Sequence, residues 1–248
     1  MGVDRLDDDE TPAAAHDARA SSEADVPGIP DGPEPRGEPR DRAACHADLR
    51  AEADAEYRAY AIDRGCERVR ETEQTIVTPA MRRIEAQDPD RHLVGLDHRL
   101  KGHDRIEEKV DFDMKKWGVT AEQAFANVKD AIRYTLQYPD DKYSHGVRAD
   151  IERIKAEGFE LVEFRNSWTH EEYKGINSRW RVPENSQLFE IQFHTQASFE
   201  IKQHTHAAYE RLRVLPDDHE EVHELRAYQR EVTAKIPIPP GAPEISIS

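Results

Sequence analysis

The sequence predicts an α+β fold, with a mixed sheet of about five strands flanked by helices. Two observations lead to this class. Short alternating runs rich in β-branched and aromatic residues lie mostly after the midpoint of the chain, and longer Ala-, Glu- and Arg-rich stretches stand before and between them. The length of 248 residues fits one domain with extensions, and the sequence shows no internal repeat.

The composition is acidic and polar. The formal charge is 35 − 51 = −16, and charged residues make up 35% of the chain against 37% hydrophobic ones. This balance predicts that part of the chain stays unpacked. It argues against a general DNA or RNA binder, because phosphate contact needs a basic surface, but it leaves room for a small basic pocket.

Targeting and cysteine signals are weak. No apolar run reaches the roughly 18 residues of a membrane span, and the acidic Met1–Glu10 segment does not resemble a secretory signal. We therefore expect a cytoplasmic protein with no membrane partner. Cys45 and Cys66 are 21 residues apart, so neither a disulfide framework nor a Cys-rich zinc site is predicted.

The chain divides into four predicted regions. Residues 1–40 hold 11 acidic and 4 basic residues and 6 of the 15 prolines, which predicts a disordered leader. Residues 41–88 are predicted to form a helical extension, and residues 89–236 the folded domain. The Pro-rich residues 237–248 are predicted to form a loose tail.

Helices are predicted in the extension and at the start of the domain. Residues 42–64 have few helix breakers and favour a helix, which Gly65 is expected to end, and a second helix follows at residues 66–87. Residues 92–101 alternate between apolar and polar side chains. They predict a strand that leads into a helix at residues 104–117.

The rest of the domain mixes helices and strands. Thr120 and Gln123 form a capping box that opens a short helix, and a turn at residues 183–186 joins two strands as a hairpin. The predicted strands are residues 130–137, 159–164, 175–182 and 187–195, and the predicted helices are residues 147–158, 197–215 and 219–235.

A group of cations follows the first predicted strand. Arg99 and Lys101 are two residues apart and so point to the same face of a strand, and Arg105 and Lys109 lie on the next helix. Cations that converge at a strand–helix junction suit a polyphosphate. A solvated basic face is the plainer interpretation of the same residues.

Two carboxylates occupy strand positions. Asp130 starts one strand, and Glu190 lies on another between Phe189 and Ile191, with Gln192 on its own face. A carboxylate on a central strand is costly unless it is paired or bound to metal. Two on neighbouring strands can hold Mg²⁺. The alternative is a pair of edge carboxylates bound to Arg or Lys.

Two further groups give weaker signals. The segment Tyr173–Asn177 (YKGIN) places an aromatic ring before a strand-opening glycine, as a stacking plate for a base or as a plain turn. His194, His204 and His206, with His170 not far away, have a spacing that zinc sites use. However, His204 and His206 face different sides of a predicted helix and no HExxH is present, which disfavours zinc.

In this order, the groups resemble the synthetase domain of the RelA/SpoT family, which makes the alarmone guanosine tetraphosphate. The resemblance covers about residues 90–212 and follows five motifs of the family. The matching residues are Arg99, Lys101 and Lys109 for R-x-K and its following lysine, Asp130 and Arg133, Tyr173 to Asn177, Glu190, Gln192 and Thr195 for EIQ-x-x-T, and His206 and Tyr209.

The chain departs from the family pattern mainly on the acceptor side. Asp130 and Arg133 are three residues apart, where the family usually has five. Asn177 stands at the loop His, His194 at the Arg of the EIQ motif, and Glu210 at the Lys after the tyrosine. The sequence shows no hydrolase signature and no room for the regulatory domains of the family, so it resembles the single-domain relatives.

The resemblance implies a nucleotidyltransferase-like fold and an ATP-dependent 3′-pyrophosphokinase, acting on the 3′-hydroxyl of a nucleotide or of an RNA 3′ end. It implies Mg²⁺ as cofactor, held by Asp130 and Glu190, with Glu190 also taking the hydroxyl proton. The implied ATP contacts are Arg99, stacked on the adenine, Lys101, Arg105, Lys109 and Arg133. The implied acceptor contacts are Tyr173, stacked on the base, Asn177, Gln192, His206 and Tyr209.

Two other classes stay open. One is a toxin or delivered effector of the same fold that acts on ATP pools or on tRNA and has an immunity or antitoxin partner. Lys174, Arg179 and Arg181 are candidates for a tRNA patch. The other is a non-catalytic nucleotide-binding protein, which the motif changes permit. Asp130 and Glu190 together speak against it, because a binder does not need two costly carboxylates.

Overall fold

A computed structural model describes residues 39–247 of the chain, with side chains from residue 44. The chain divides into two compact units, Met1–Ala47 and Asp48–Ser248, and of the first only the beginning of a helix is described. The leader predicted at residues 1–40 therefore lies almost wholly outside the described residues. None of the helices within residues 39–247 combines the length and apolarity needed to cross a membrane.

A long helix, α1 (Pro39–Thr72), continues through one π-helical turn (Glu73–Val77) into α2 (Thr78–Glu85). The predicted helix end at Gly65 is wrong. Gly65 is buried, and a Cβ added there would lie 2.5 Å from Cε2 of Phe125. The glycine therefore serves close packing inside the helix rather than its termination.

The predicted boundary between a helical extension and the domain near residue 88 is also wrong. Ile62, Val69, Met81 and Ile84 are buried in the same hydrophobic core as the strand residues. The periodicity of a helix places Ile62 and Val69 on one side of α1, and Met81 and Ile84 on one side of α2; both sides face the core. The second half of α1 and the whole of α2 are therefore part of the folded domain.

Five strands and five further helices complete the described chain. The strands are β1 (His92–Val94), β2 (Arg133–Tyr138), β3 (Glu160–Asn166), β4 (Ile176–Arg181) and β5 (Leu188–Thr195). The helices are α3 (His103–Trp117), α4 (Ala121–Ala126), α5 (Tyr143–Ala156), α6 (Gln196–Val214) and α7 (Glu220–Thr233). The sheet order is β1-β2-β5-β4-β3, with β2 parallel to β5 and the other neighbours antiparallel. This confirms the predicted α+β class with a mixed five-stranded sheet.

The strand predicted at residues 92–101 is mostly absent. β1 ends at Val94, because Gly95 takes a left-handed conformation with φ 65° and a 3₁₀ turn follows at Leu96–His98. The cations expected on this strand therefore lie on an irregular segment. Strand alternation does not decide where their side chains point.

The register of β2 and β5 gives the sheet one apolar and one polar face. Leu136 of β2 pairs with Phe193 of β5, and both are fully buried. Arg133 pairs with Glu190 at an odd offset from the first pair, so these two side chains lie on the opposite face. Helix α6 contacts both strands. The polar face is the surface on which most of the candidate site residues meet.

Residues 237–247 pack against the domain, so the prediction of a loose tail is wrong for them. Ala242 and Ile245 are buried. The side-chain amide of Asn166, at the end of β3, donates to the carbonyl oxygens of both, at 2.8 and 3.0 Å. The segment is held largely through its backbone acceptors, which the pattern of its side chains does not reveal.

Candidate functional site

Polar side chains from four strands line up in two rows across the polar face. The antiparallel and parallel pairings keep these side chains on one side of the sheet. The first row contains Arg133, Glu190, Arg179 and Glu163, and the second contains Thr135, Gln192, Asn177 and Arg165. Alternation in the sequence predicts the face of each residue within its own strand, but only the strand order brings the rows together.

Asp130 lies in the turn before β2 and is held by two lysines. Lys101 Nζ is 2.6 Å from Oδ2, and Lys109 Nζ is 3.4 Å from Oδ1. The backbone amide of Lys101 donates to the carbonyl of Ala131 at 3.0 Å, which fixes the lysine beside β2. Burial by itself raises the pKa of Asp130, but Lys109 and Lys101 outweigh it and the pKa falls to about 2. The structure therefore brings these three predicted site residues together.

Glu190 lies almost buried at the centre of the sheet. Gln192 Nε2 donates to Glu190 Oε1 at 2.6 Å, and within residues 39–247 the second oxygen, Oε2, accepts no hydrogen bond. Burial raises the pKa of Glu190; Arg133 opposes the rise and Asp130 adds to it. The two predicted carboxylates thus act on each other electrostatically, and one oxygen of Glu190 remains available for a ligand.

Lys202 of α6 also reaches the polar face, and sequence reasoning missed it. Its Nζ donates to Gln192 Oε1, and burial, followed by the charge of Arg133, lowers its pKa to about 8. Ser198 and Thr205 are buried on α6, four residues before and three after it. This i, i+4, i+7 spacing is the sequence signal that could have located Lys202 on the inward side of the helix.

Hydrogen bonds between neutral groups fix the loop that carries Tyr173. Its hydroxyl donates to Asn177 Oδ1 at 2.8 Å and lies 3.0 Å from His194 Nε2, while His194 Nδ1 is 2.9 Å from Ser198 Oγ. Gly175 has φ 151°, and a Cβ there would lie 2.7 Å from His194 Cε1. Burial lowers the pKa of His194 well below its ordinary value, so the imidazole is neutral.

His206 and Tyr209 of α6 continue the line of Lys202 toward solvent. The three residues are spaced i, i+4, i+7 and share one side of the helix, but His206 and Tyr209 are exposed. His204 is exposed as well. Among residues 39–247, no three His, Cys, Asp or Glu side chains are grouped so as to hold a metal ion. A metal at the polar face would take further ligands from a bound substrate or from water.

Arg99 lies away from Lys101. Its Nε donates to Glu73 Oε1 at 2.7 Å. The same carboxylate oxygen accepts a hydrogen bond from Tyr134, which belongs to the apolar face of β2, at 3.2 Å. The prediction that Arg99 and Lys101 share a face is therefore wrong, because Arg99 ends the 3₁₀ turn with φ −70° and ψ −23°, so strand alternation does not apply to it. Arg99 joins the α1–α2 junction to β2.

Arg105, Arg133 and Arg165 differ in whether a carboxylate pairs with them. Arg105 is exposed on α3 and pairs with Glu210 of α6 instead of approaching Asp130. Arg133 is half-buried beside Glu190, and Arg165, which belongs to none of the motifs, lies at the edge of the second row. Neither Arg133 nor Arg165 has a hydrogen bond or an ion pair to a side chain in the described part of the chain. Both are therefore available to an anion.

A concavity of about 620 Å³ lies beyond the far ends of β2 and β5. Asp90, Asp140 and Glu200 line it together with His92. It holds none of the predicted site residues, and its acidic lining does not suit a phosphate. The candidate site is thus identified by its side chains and not by this concavity.

No family model matches the sequence, and no curated protein matches it. Several solved structures do. The Type VI effector Tas1, solved with its immunity protein, has a TM-score of 0.50 at 16% identity, over 71% of this chain and 98% of the effector. A GTP pyrophosphokinase family protein from Streptococcus pneumoniae has a TM-score of 0.48 at 16% identity, over 73% and 88%. The small alarmone synthetase 1 from Bacillus subtilis, bound to its product pppGpp, has 0.45 at 16%, over 66% and 84%.

These likenesses concern the fold, because an identity of 16% does not carry an activity from one chain to another. The pyrophosphokinase family protein and the alarmone synthetase lie below a TM-score of 0.5, so of these three comparisons the one with the effector supports the fold. The residues that resemble the five motifs run from the segment before α3 to α6 of this chain. The described chain therefore has the fold of the RelA/SpoT-like synthetase domains.

Proposed function

We propose that the protein is an ATP-dependent 3′-pyrophosphokinase, which transfers the β,γ-pyrophosphate of ATP to the 3′-hydroxyl of a nucleotide or of an RNA 3′ end. The polar face carries this proposal. Asp130 raises the pKa of Glu190, and Lys101, Lys109 and Arg133 act on one or both of these carboxylates. Two neighbouring carboxylates among several cations suit a polyphosphate bound together with a metal ion.

Lys101 and Lys109 are the proposed ligands of the donor triphosphate. Both contact Asp130 in the structure, and phosphate oxygens would offer them charge-assisted hydrogen bonds with more acceptors. Arg133, which pairs with no carboxylate in residues 39–247, would add a third cation. The triphosphate would thus displace Asp130 from its lysines.

Arg99 and Arg105 are weaker donor contacts in this proposal. Each is already paired with a carboxylate, Arg99 with Glu73 and Arg105 with Glu210. A nucleotide would have to break that pair and leave Glu73 or Glu210 without a cation, whereas Mg²⁺ is proposed to replace the lysines at Asp130. Stacking of the adenine on Arg99 therefore requires Glu73 to release it.

Asp130 and Glu190 are the proposed ligands of Mg²⁺. They fit the ion, because both supply the carboxylate oxygens that Mg²⁺ prefers, and Glu190 Oε2 accepts no hydrogen bond from the described residues. When bound, Mg²⁺ would neutralise charge on the phosphates. Movement of Lys101 and Lys109 to the phosphates would leave both oxygens of Asp130 without a cation. Donor and metal are therefore expected to bind cooperatively.

Glu190 is the proposed general base. The acceptor 3′-oxygen attacks the β-phosphorus of ATP, the bond from that phosphorus to the α,β-bridging oxygen breaks, and AMP leaves. The hydroxyl proton passes to Glu190. Burial raises the pKa of this carboxyl in the metal-free protein, and a carboxylate within hydrogen-bond reach of the hydroxyl can take its proton. Positioning and charge neutralisation supply most of the remaining rate.

The acceptor is proposed to lie between Tyr173 and the second row of the polar face. The Tyr173 hydroxyl is engaged at the loop, so its ring face is the part left to stack on a base. Arg165 lies in the second row and suits a phosphate of the acceptor. The other proposed acceptor contacts are Asn177, Gln192, His206 and Tyr209.

A second candidate function is the same reaction used as a toxin. The likeness to Tas1 favours it, because that effector was solved with an immunity protein and 98% of its chain is covered. In this case a partner protein that covers the polar face would act as the immunity protein. The two candidates differ in the cell whose nucleotides are consumed, and not in the chemistry at Glu190.

Transfer of label from ATP tests the proposed function. The protein is incubated with γ-labelled ATP, Mg²⁺ and, in separate reactions, ADP, GDP, GTP or deacylated tRNA, and the products are separated by chromatography. We expect label to move onto one acceptor class. Glu190→Gln should be inactive, and the exposed control Glu152→Gln active. Binding of ATP without any transfer would instead support a non-catalytic nucleotide-binding protein.

A further inference from the structure

Helix α6 turns one lysine toward the carboxylate at the centre of the sheet. Lys202 shares its side of α6 with the buried Ser198 and Thr205, and its own side chain is half-buried. Its Nζ donates to Gln192 Oε1. The family motifs place no residue at this position, so its role is open.

This contact decides which way the amide of Gln192 points. An ammonium group can only donate hydrogen bonds, whereas a glutamine amide has one accepting and one donating end. The amide oxygen must therefore face Lys202. The amide nitrogen then faces Glu190, and its N–H donates to Oε1 at 2.6 Å.

The contacts from Lys202 to Gln192 and from Gln192 to Glu190 make the two carboxylate oxygens of Glu190 different. Oε1 is held by Gln192. Oε2 accepts no hydrogen bond from the part of the chain that the structure describes. If the amide were reversed, its oxygen would face a carboxylate oxygen, and the repulsion would turn Glu190 away from this position.

We propose that Lys202 is a positioning residue, which acts through Gln192 to hold Glu190 with Oε2 presented to the bound metal ion and the acceptor hydroxyl. The proposal rests on the proposed function, in which Glu190 takes the hydroxyl proton. A different role, direct contact of Lys202 with a substrate phosphate, would need Nζ to leave Gln192. The two roles predict different results when both residues are changed.

The first test needs no activity. Hydrogen exchange of side-chain amides is followed by NMR, with the Gln192 signal assigned from its loss in Gln192→Leu. In the wild type, we expect the Gln192 amide to exchange at least about tenfold more slowly than that of Gln203, which is exposed on the same helix. Lys202→Met should remove most of this protection, and the exposed control Lys155→Met should not. Unchanged protection in Lys202→Met would overturn the proposal.

The second test is a double-mutant cycle on kcat. Lys202→Met and Gln192→Leu should each lower kcat about tenfold with little change in the KM for ATP, and the double variant should match Gln192→Leu within about twofold. Lys202→Arg, which also can only donate, should restore most of kcat and serves if Lys202→Met does not fold. If the losses of kcat in the two single variants multiply in the double variant, or if only the KM changes, Lys202 contacts the substrate directly and the proposal is overturned.

A wild type that transfers no pyrophosphate would contradict the proposed function. The exchange measurement would still test the placement of Gln192.

Discussion

Different interactions hold the two sides of the polar face. The donor side is the group of Lys101, Lys109 and Asp130, and the acceptor side is the group of Tyr173, Asn177 and His194. On the donor side, Lys101 and Lys109 hold Asp130 through ion pairs at the edge of solvent. On the acceptor side, hydrogen bonds between neutral groups join Tyr173 to Asn177 and His194. Ion pairs can be exchanged for phosphate contacts, whereas the neutral network has to persist when a ligand binds.

Substitutions on the two sides should therefore have different effects. A donor-side substitution removes a charge that a nucleotide or metal uses, so its effect falls on binding and turnover. An acceptor-side substitution loosens a loop whose shape is set by Gly175 and His194, so its effect falls on stability and on the acceptor.

The largest effect is expected from the carboxylate between the two sides. Glu190→Gln keeps the shape and removes the base, so kcat should fall by about 10²–10⁴-fold while ATP still binds. Steady-state kinetics and calorimetry measure the two quantities, with Glu152→Gln as the matched control. Turnover within about tenfold of the wild type would exclude Glu190 as the base.

On the donor side, Lys101→Ala should weaken ATP binding by roughly tenfold or more, because a charge-assisted hydrogen bond to phosphate contributes about 1.5–3 kcal/mol. The KM for the acceptor should change little. Lys155→Ala, at an exposed lysine of α5, is the control in the same titration. Equal losses in both variants would remove the case for a specific phosphate clamp.

Asp130→Asn tests the same ion pairs without a ligand. The pKa of Asp130 is depressed to about 2 from its ordinary 3.8, so the carboxylate stabilises the fold above that ordinary value. The stabilisation is lost as pH falls from about 4 toward 2. The variant should be less stable by about 2 kcal/mol at pH 7 in urea unfolding, with a smaller deficit at pH 3.

In urea unfolding, Glu190→Gln should raise the free energy of unfolding, whereas Asp130→Asn lowers it. The pKa of Glu190 is raised, mainly by burial, so its ionised form is disfavoured in the folded protein. The neutral amide should therefore stabilise the metal-free protein at pH 7, and the gain should disappear below about pH 4. A loss of stability in both variants would show that Asp130 and Glu190 are paired in the same manner.

Arg165→Ala tests whether a substitution near the acceptor side changes the KM for the acceptor without changing the KM for ATP. Arg165 lies in the row of Asn177 and Gln192, on the side away from β2, so we expect the KM for the acceptor to rise about tenfold. The KM for ATP should stay within about twofold. An effect on ATP as large as that of Lys101→Ala would mean that Arg165 belongs to the donor side.

The smallest effect is expected from Tyr173→Phe. The ring stays, but Asn177 and His194 each lose a hydrogen-bond partner, which should cost about 1 kcal/mol of unfolding free energy. Thermal and urea unfolding measure this cost, and acceptor stacking should be largely kept. An unchanged stability together with a large rise in the KM for the acceptor would place the hydroxyl on the ligand instead.

Local sequence rules correctly predict the features that depend on neighbours along the chain. The capping box of Thr120 forms as predicted, with its hydroxyl oxygen accepting from the amide of Gln123 at 3.3 Å. Glu190 and Gln192 share a face, as strand alternation requires. In such cases the backbone geometry of one element settles the outcome.

The same rules do not predict features that depend on residues close in space but distant in the sequence. Gly65 suggests a helix end until the ring of Phe125 is known to press on it. The sequence predicts Arg99 beside Lys101, but its side chain pairs with Glu73 instead. The position of Lys202 depends on how α6 lies on the sheet, which no motif encodes. Tertiary packing, and not local propensity, decides these positions.

The most direct test of the central claim, that Asp130 and Glu190 bind a metal together with the triphosphate, is calorimetry with a non-hydrolysable ATP analogue in the presence and absence of Mg²⁺. In the wild type, Mg²⁺ should raise the affinity for the analogue by about tenfold or more, and Asp130→Asn should lose most of that gain while Glu152→Gln keeps it. If Asp130→Asn and Glu190→Gln both gain as much affinity from Mg²⁺ as the wild type does, the two carboxylates do not form the metal site.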